Sequence, residues 1–216
     1  MRWTIIPMRG LGRGKLRLAG YLDDELRRCL NKWLLEQVLS AVEQLSSGLE
    51  RCIVAAGDED VAQLARRRGA SVLITGELGL NESLELARRA VRLYGADQIL
   101  ALVSDLPNVT ARALHRLIEA VPSGGAAVIA DKERIGTAGV LLPASCGMPF
   151  MFGPRSLDHH CRGLVEHGVE PMVWTDPALS FDLDTPQDYS FWRGATALVE
   201  LDHVSHKSTR QGVFEV

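Results

Sequence analysis

The 216-residue sequence has no long apolar run and no excess of positive charge. No apolar segment approaches the roughly 18 residues that a membrane-spanning helix needs. The opening MRWTIIPMRG holds too short an apolar stretch for a signal peptide. A formal net charge of -3 argues against a general nucleic-acid-binding protein, because phosphate contacts require a basic surface. These absences predict a cytoplasmic protein that binds neither membrane nor nucleic acid.

Clustered cysteines are absent as well. The four cysteines are Cys29, Cys52, Cys146 and Cys161. They form no C-x-x-C pair, which argues against a zinc site, and the chain is too large for a disulfide scaffold. We predict small buried side chains at these positions. The adjacent His159 and His160 are predicted to be surface residues rather than a metal pair, since neighbours on a helix point about 100° apart.

Apolar runs instead alternate with segments of helical periodicity. Strands are predicted at WTIIPM, RCIVAAG, ASVLIT, QILALVS, AAVIADK, AGVLLPA, EPMVWTD and LSFDLD. Helices are predicted from Asp23 to about Leu45, over EDVAQLARRRG, NESLELARRAVRLYG and TARALHRLIEAVPSG, near 155–168, and over TPQDYSFWRGATALVE. This order predicts a single α/β domain over residues 1–200, with a mainly parallel sheet flanked by helices. Residues 201–216 are predicted to form a C-terminal tail, either docked or frayed.

The loop after the first strand has the composition of an anion-binding turn. In an open α/β sheet, ligands bind beyond the carboxyl ends of the strands. The segment RGLGRGKLRL combines three glycines with Arg9, Arg13, Lys15 and Arg17. Backbone N–H groups and guanidinium donors of this kind can surround a polyphosphate. The segment is neither a P-loop nor a Rossmann fingerprint, and a solvated basic loop is the alternative.

Carboxylates follow two other predicted strands. In ILALVSDLPNVT, Asp105 stands directly after an apolar run, and in SFDLDTPQDY, Asp182 and Asp184 occupy alternate positions of a short strand. Alternate residues of a strand face the same side. Acids from distant parts of the chain that meet at strand ends suit Mg²⁺, which takes oxygen ligands. Thr185 and Asp188 are assigned to capping of the following helix.

Taken together, these segments resemble the CofC-type guanylyltransferases of deazaflavin coenzyme F(420) synthesis, within the nucleotide-diphospho-sugar transferase superfold. The resemblance covers roughly residues 3–192. It rests on IIPMRGLGRGKLRL, GLN at 79–81, SDLP at 104–107, GT at 136–137, PFMFGPRSLDHH at 149–160 and FDLDTPQD at 181–188. It implies Mg²⁺-dependent transfer of GMP from GTP to a three-carbon phosphorylated acid, with release of pyrophosphate. The acid is 2-phospho-L-lactate, phosphoenolpyruvate or 3-phospho-D-glycerate.

The resemblance also implies roles for individual residues. The implied catalytic residues are Lys15, Arg17, Asp105 and Asp184. The implied nucleotide-binding residues are Arg9, Gly12, Arg13, Lys15 and Asn81. The implied acceptor-binding residues are Thr137, Gly153 and Ser156, with Arg155 as an additional cation. The implied metal ligands are Asp105 and Asp184, with Asp182 as an alternate.

Two features depart from the family pattern. The sequence reads GTAG where the family often carries G-T-N, and Gly10 and Gly14 stand where the family often carries Pro and Ala. Two other interpretations therefore stay open: a nucleotidyltransferase with another nucleotide or acceptor, and a non-catalytic nucleotide-binding protein. A homodimer is a further expectation from the fold.

Overall fold

A computed structural model of the chain describes residues 1–195, so the predicted tail over 201–216 lies outside the described residues. The strands are β1 Arg2–Met8, β2 Cys52–Ala56, β3 Ser71–Ile74, β4 Gln98–Leu102, β5 Ala126–Ala130, β6 Thr137–Pro143 and β7 Pro171–Trp174. The helices are α1 Asp24–Glu43, α2 Glu59–Arg68, α3 Leu80–Leu93, α4 Ala111–Ala120, α5 Ser156–Glu166 and α6 Pro177–Ser180. A last helix, α7, begins at residue 186 and runs to residue 195, where the description ends.

The seven strands form one sheet in the order β3-β2-β1-β4-β6-β5-β7. Only β6 runs antiparallel to its neighbours β4 and β5, and every other pair is parallel. The predicted mainly parallel α/β fold is therefore confirmed. The strand order reverses between β1 and β4, and ligands of open α/β sheets bind in the crevice at such a reversal.

Several helices begin where the sequence places a capping oxygen. Asp23 accepts a hydrogen bond from the Leu26 N–H at 2.8 Å, and Asp58 accepts one from Val61 at 2.9 Å. Thr110, the predicted N-cap of α4, accepts from Ala113 at 3.2 Å. Each bond satisfies an N–H group of the first helical turn, which explains why these helices begin at these residues.

Apolar side chains are buried on both faces of the sheet. Ile5 and Ile6 of β1 are both fully buried and belong to different clusters, because adjacent strand residues point to opposite faces. One cluster packs α1, α2 and α4 against the Ile6 face, and the other packs α3 and α5 against the Ile5 face. Among residues 1–195, no helix is long and apolar enough to cross a membrane.

One predicted strand is wrong. The segment LSFDLD lies partly in α6, and residues 181–184 pair with no strand of the sheet. The physical reason is Asp176, which caps a helical turn by accepting from the Ala178 N–H at 2.9 Å, with Pro177 in the first position. The predicted helix after it is confirmed over residues 186–195.

Two predictions about burial are also wrong in part. Cys52 and Cys146 are buried as expected, but Cys29 is exposed and Cys161 is partly exposed. Of the histidine pair, His159 is exposed, whereas His160 is fully buried. The helical rotation between neighbouring residues explains this split, since only one of the two faces the core.

Candidate active site

The loop after β1 lies close to α1 and to Asp58, the residue that caps α2, which leaves little space at Gly10 and Gly14. A Cβ atom on Gly14 would lie 2.9 Å from the amide nitrogen of Asn31, a buried residue that donates to the Leu11 carbonyl at 2.7 Å. A Cβ atom on Gly10 would lie 2.5 Å from a carboxylate oxygen of Asp58. The departures from the family pattern therefore match local packing around the loop.

The loop then turns at Lys15, whose backbone adopts the left-handed conformation (φ 56°, ψ 38°). This conformation is uncommon for a residue other than glycine and is concentrated at functional sites. Lys15 leads into the 3₁₀ turn Leu16–Leu18, in which Leu18 is fully buried. The turn fixes the direction in which the Lys15 side chain leaves the loop.

The Lys15 ammonium lies between two carboxylates. Its Nζ donates to Asp105 Oδ2 at 2.8 Å and to Asp184 Oδ1 at 2.9 Å, and the lysine side chain is only 5% exposed. Arg17, which is largely exposed, reaches the second oxygen of Asp184 at 3.3 Å. The structure thus brings all four implied catalytic residues together around one cationic position.

Asp184 is held there by its neighbour in the chain. Leu183 is fully buried among Leu18, Leu30 and Leu34, and its N–H donates to the Asp105 carbonyl at 3.1 Å. Asp182 and Asp184 stay partly exposed on either side of Leu183, which is the alternation that the strand prediction expected. A single buried leucine therefore replaces the expected strand as the anchor of these acids.

The charges in this cluster perturb one another. Burial disfavours the charged form of Lys15, but attraction to Asp105 and Asp184 outweighs it and raises its pKa above the usual value. Burial, together with the nearby charge of Asp105, raises the pKa of Asp182 to about 6. Lys132 opposes this shift, with its Nζ 3.8 Å from Asp182 Oδ1.

The donor set fits a hard divalent cation. Asp105 Oδ1 and Asp182 Oδ1 are buried oxygens without a hydrogen-bond partner, and carboxylate oxygens are the ligands that Mg²⁺ prefers. Within the described part of the chain, no group of three or more acidic, histidine or cysteine side chains is arranged around a common metal position. Asp105 and Asp184 are instead bridged by the ammonium of Lys15, whereas Asp182 faces the ammonium of Lys132 at 3.8 Å.

A cleft of about 400 Å³ opens beside this cluster, at the reversal between β1 and β4. It is lined by Pro7, Met8, Arg9, Gly10, Arg13, Gly14, Lys15, Asn31, Leu80, Val103, Ser104, Asp105 and Asp184. Five implied site residues are among them, whereas Gly12 and Arg17 lie outside the lining and are exposed. Arg13, which lines the cleft, forms an ion pair with the exposed Glu77.

Asn81, which the resemblance assigns to nucleotide binding, makes both of its side-chain hydrogen bonds with the backbone of Phe152. Its amide nitrogen donates to the Phe152 carbonyl at 3.0 Å, and its amide oxygen accepts from the Phe152 N–H at 2.8 Å. Two further residues of α3 extend this contact: Glu85 accepts from the Phe150 N–H at 2.9 Å, and Arg88 donates to the Met148 carbonyl at 2.6 Å. In this structure Asn81 therefore holds the segment that leads to the implied acceptor site.

The three implied acceptor-binding residues lie beyond that segment. Thr137 begins β6, which is antiparallel, so its first residue lies at the same sheet edge as the carboxyl end of β5. Ser156 is the first residue of α5, only 2% exposed, and its N–H donates to the Gly153 carbonyl at 3.2 Å. None of the three lines the cleft between β1 and β4.

Lys132 belongs to this charged cluster, although no sequence motif predicted it. Its ammonium pairs with Asp188 and Asp182 and lies 5.0 Å from the centre of the Phe181 ring. Its position just after β5, AAVIADK, is the signal that could have found it, because the strand ends at the ligand-binding edge. Asp188 also accepts from the Thr185 N–H at 2.8 Å, in agreement with the capping role assigned to both residues.

The sequence of this chain is similar to those of known guanylyltransferases. Residues 2–191 match the family model described as "Guanylyl transferase CofC like". The chain is 36% identical over 187 residues to a phosphoenolpyruvate guanylyltransferase of Rubrobacter xylanophilus, covering 86% of this chain and 90% of that protein. It is 33% identical over 185 residues to the protein of the same name from Sphaerobacter thermophilus, covering 86% and 89%.

Solved structures share the fold at low sequence identity. A Desulfovibrio desulfuricans protein assigned as a nucleotide-diphospho-sugar transferase superposes with a TM-score of 0.69 at 14% identity, covering 85% of this chain and 82% of that one. Glucosyl-3-phosphoglycerate synthase of Mycobacterium tuberculosis, in complex with Mn²⁺, uridine diphosphate and phosphoglyceric acid, gives 0.58 at 13% identity, covering 88% and 72%. Both likenesses concern the fold alone.

Proposed function

Because this chain belongs to the CofC-like guanylyltransferase family, we propose that it transfers GMP from GTP to phosphoenolpyruvate, in the synthesis of coenzyme F(420). The names of the relatives favour phosphoenolpyruvate over 2-phospho-L-lactate and 3-phospho-D-glycerate. The observation that carries the proposal is the convergence of Asp105 and Asp184 on one cationic position beside a glycine-rich basic loop.

The reaction needs no protein base. A phosphate oxygen of the acceptor attacks the α-phosphorus of GTP, the new oxygen–phosphorus bond forms, and the bond to the bridging oxygen breaks. Pyrophosphate leaves with that electron pair. Since the attacking oxygen is already an anion, catalysis consists of positioning the reactants and neutralising their charge.

Asp105 and Asp184 are the residues that would hold Mg²⁺. When bound, the ion supplies charge neutralisation at the phosphoryl oxygens. The ammonium of Lys15 now neutralises the same two carboxylates, so we propose that Lys15 turns to the triphosphate when the cation binds. Arg9, Arg13 and Arg17 belong to the same loop and are proposed to offset the charge of the departing pyrophosphate.

The remaining roles are proposals of the same kind. Thr137, Gly153 and Ser156 are proposed to bind the acceptor, because the family resemblance implies this role and because Ser156 begins an 11-residue helix, whose N-terminal end favours an anion. Gly12 is proposed as part of the nucleotide loop. A cytoplasmic location and a homodimer are also proposed, and sedimentation velocity would test the second.

Pyrophosphate release tests the proposal directly. The protein is incubated with Mg²⁺, each nucleoside triphosphate and each of the three phospho-acids, and the nucleotide product is identified by mass. We expect release with GTP and phosphoenolpyruvate. Release only with another triphosphate or acid would reassign the substrate, and nucleotide binding without turnover for any acid would support a non-catalytic protein.

A matched pair of variants tests the metal ligands in the same assay. Asp105→Asn is expected to lower turnover by roughly two orders of magnitude or more, the usual cost of losing a catalytic charge contact. The control is Asp97→Asn, an exposed carboxylate near the opposite end of β4, which should leave turnover unchanged. Near-full activity of Asp105→Asn would refute the assignment.

A further inference from the structure

His160 is a fully buried histidine whose two ring nitrogens both have partners. Nε2 lies 2.9 Å from the backbone nitrogen of Met151, and Nδ1 lies 3.1 Å from the hydroxyl oxygen of Thr137. The ring also packs edge-on against Phe152, with the ring centres 4.9 Å apart. One side chain of α5 thus touches both β6 and the segment before Gly153.

The contact with Met151 determines which ring nitrogen carries the proton. A backbone N–H only donates, so Nε2 must accept and cannot be protonated. Burial lowers the pKa of His160 to about 4, so the ring is neutral near pH 7. In a neutral imidazole the single proton then sits on Nδ1, and the acceptors near the ring are Thr137 Oγ1 and the backbone carbonyl of Ser156.

This arrangement fixes the direction of the Thr137 hydroxyl. Since a protonated Nδ1 cannot accept a hydrogen bond, the hydroxyl hydrogen of Thr137 must point away from the imidazole. Thr137 is partly exposed at the ligand-binding edge of the sheet. It is the first residue of β6, directly after the turn that joins β5 to β6. Its hydroxyl is therefore available to donate a hydrogen bond. An anionic substrate such as a phospho-acid needs a donor of this kind.

We infer that His160 is a positioning residue for acceptor binding: its Nδ1–H orients the Thr137 hydroxyl as a donor to the phospho-acid, and its Nε2 holds the Met151 backbone in register. The inference rests on the proposed function, because it takes Thr137 as an acceptor-binding residue. It assigns His160 no contact with substrate and no proton transfer.

The surroundings of His160 support a positioning role over a metal role. His159 is exposed and points elsewhere, and no cluster of potential metal ligands includes His160 within residues 1–195. The segment that His160 holds is also held from the other side by Asn81 at Phe152. The backbone at 151–152 is therefore fixed by α3 and α5 together, just before Gly153 and Ser156.

Steady-state kinetics of four variants test the inference: His160→Phe, His160→Asn, Thr137→Val and the His160→Phe/Thr137→Val double variant. His160→Phe keeps the ring volume but removes both hydrogen bonds, and His160→Asn restores a donor near the position of Nδ1. We expect His160→Phe to raise KM for phosphoenolpyruvate about 10- to 100-fold, as for a lost bond to a charged ligand, with KM for GTP within about twofold. His160→Asn should recover most of the loss, and Thr137→Val should cost little more in the His160→Phe background.

Two results would overturn the inference. One is an equal rise of both KM values in His160→Phe, and the other is full additivity of the His160 and Thr137 substitutions. Nitrogen-15 NMR of the histidine ring in the wild-type protein gives a readout that does not depend on turnover. The Nδ1–H tautomer is expected, and the Nε2–H tautomer would refute the positioning role even in an active enzyme. Absence of turnover with every acid, with the Nδ1–H tautomer present, would refute the proposed function instead.

Discussion

At the scale of single residues, the central feature is a buried lysine between two carboxylates that are the proposed metal ligands. Lys15 lies within 2.9 Å of carboxylate oxygens from Asp105 and Asp184, and it is almost fully buried. Two carboxylates this close to one point repel each other unless a cation separates them. Lys15 supplies that cation in the structure and keeps the two carboxylates close to each other.

The first prediction follows from this competition. Lys15→Met should raise the affinity of the nucleotide-free protein for Mn²⁺ by about tenfold or more, because the charged group that pairs with both carboxylates is gone. Electron paramagnetic resonance of free Mn²⁺ measures the affinity. Arg17→Met is the control, since Arg17 is exposed and touches only Asp184. Equal or weaker Mn²⁺ binding by Lys15→Met would show that Lys15 does not hold the metal position.

The second prediction concerns pH and His160. Its pKa is about 4 in the folded protein and about 6.5 in an unfolded chain. The unfolded state therefore binds the extra proton between these values, and the stability that His160 contributes above pH 6.5 is lost as the pH falls towards 4. Between pH 7 and pH 5 this loss amounts to roughly 2 kcal/mol.

Urea unfolding at the two pH values measures that loss. His160→Phe removes the titrating group, so its free energy of unfolding should fall by roughly 2 kcal/mol less than that of the wild type over the same range. The comparison cancels the other titrating groups, which both proteins share. Parallel losses in the two proteins would mean that His160 is already charged at pH 5 in the folded state.

At the scale of elements, the segment 181–184 matters more than its missing strand pairing suggests. Leu183 is fully buried against Leu18 and Leu34, and its N–H binds the Asp105 carbonyl. Thr185 and Asp188 then cap α7 through reciprocal hydrogen bonds, with Asp188 Oδ2 accepting from the Thr185 N–H and Thr185 Oγ1 accepting from the Asp188 N–H. Asp182 and Asp184 are thus fixed by the buried Leu183 between them and by the cap of α7 that follows them.

The third prediction separates this anchoring from ordinary core packing. Leu183→Ala and Leu179→Ala each delete a fully buried leucine side chain, and each should cost about 2–5 kcal/mol in unfolding free energy. Only Leu183→Ala should also lower kcat in the folded fraction, because only Leu183 positions Asp184. Calorimetry and pyrophosphate release provide the two measurements. A similar loss of kcat in Leu179→Ala would mean that general destabilisation, not anchoring, controls the site.

At the scale of the whole molecule, the proposed site joins parts that are far apart in the chain. Lys15, Asp105 and Asp184 come from the loop after β1, the end of β4 and the segment before α7. The parallel pairing of β1 with β4 brings the first two together, and the contact of Leu183 with Asp105 brings the third. A ligand bound there should stabilise the fold as a unit.

The fourth prediction measures this coupling. GTP with Mg²⁺ at about 100 times its dissociation constant should add about 2.7 kcal/mol of stability and raise the melting temperature by roughly 5–10 °C, without any acceptor. Differential scanning calorimetry with each nucleoside triphosphate gives the comparison. An equal shift with all four triphosphates would indicate phosphate binding without selection of the base. No shift with GTP would contradict nucleotide binding at the cleft.

Local patterns in the chain are enough to predict the class of fold and most of its elements. Apolar periodicity, capping residues such as Thr110 and the order of strands and helices depend on local spacing, and a local pattern is visible in the chain. The six motifs that carry the family resemblance, among them those at Lys15, Asp105 and Asp184, are local patterns of the same kind. The segment 179–184 was misassigned because its alternating pattern fits a strand, whereas Asp176 and the burial of Leu183 decide its conformation.

The pairing of side chains from different elements is visible only in the folded chain. The Lys15 ammonium between Asp105 and Asp184, the contact of Asn81 with the Phe152 backbone, and the burial of His160 against Thr137 each join residues that the sequence leaves unrelated. Such pairings depend on strand register, helix rotation and the space left by neighbouring side chains. Those quantities are set by the packing of the whole domain, so no local pattern in the chain specifies them.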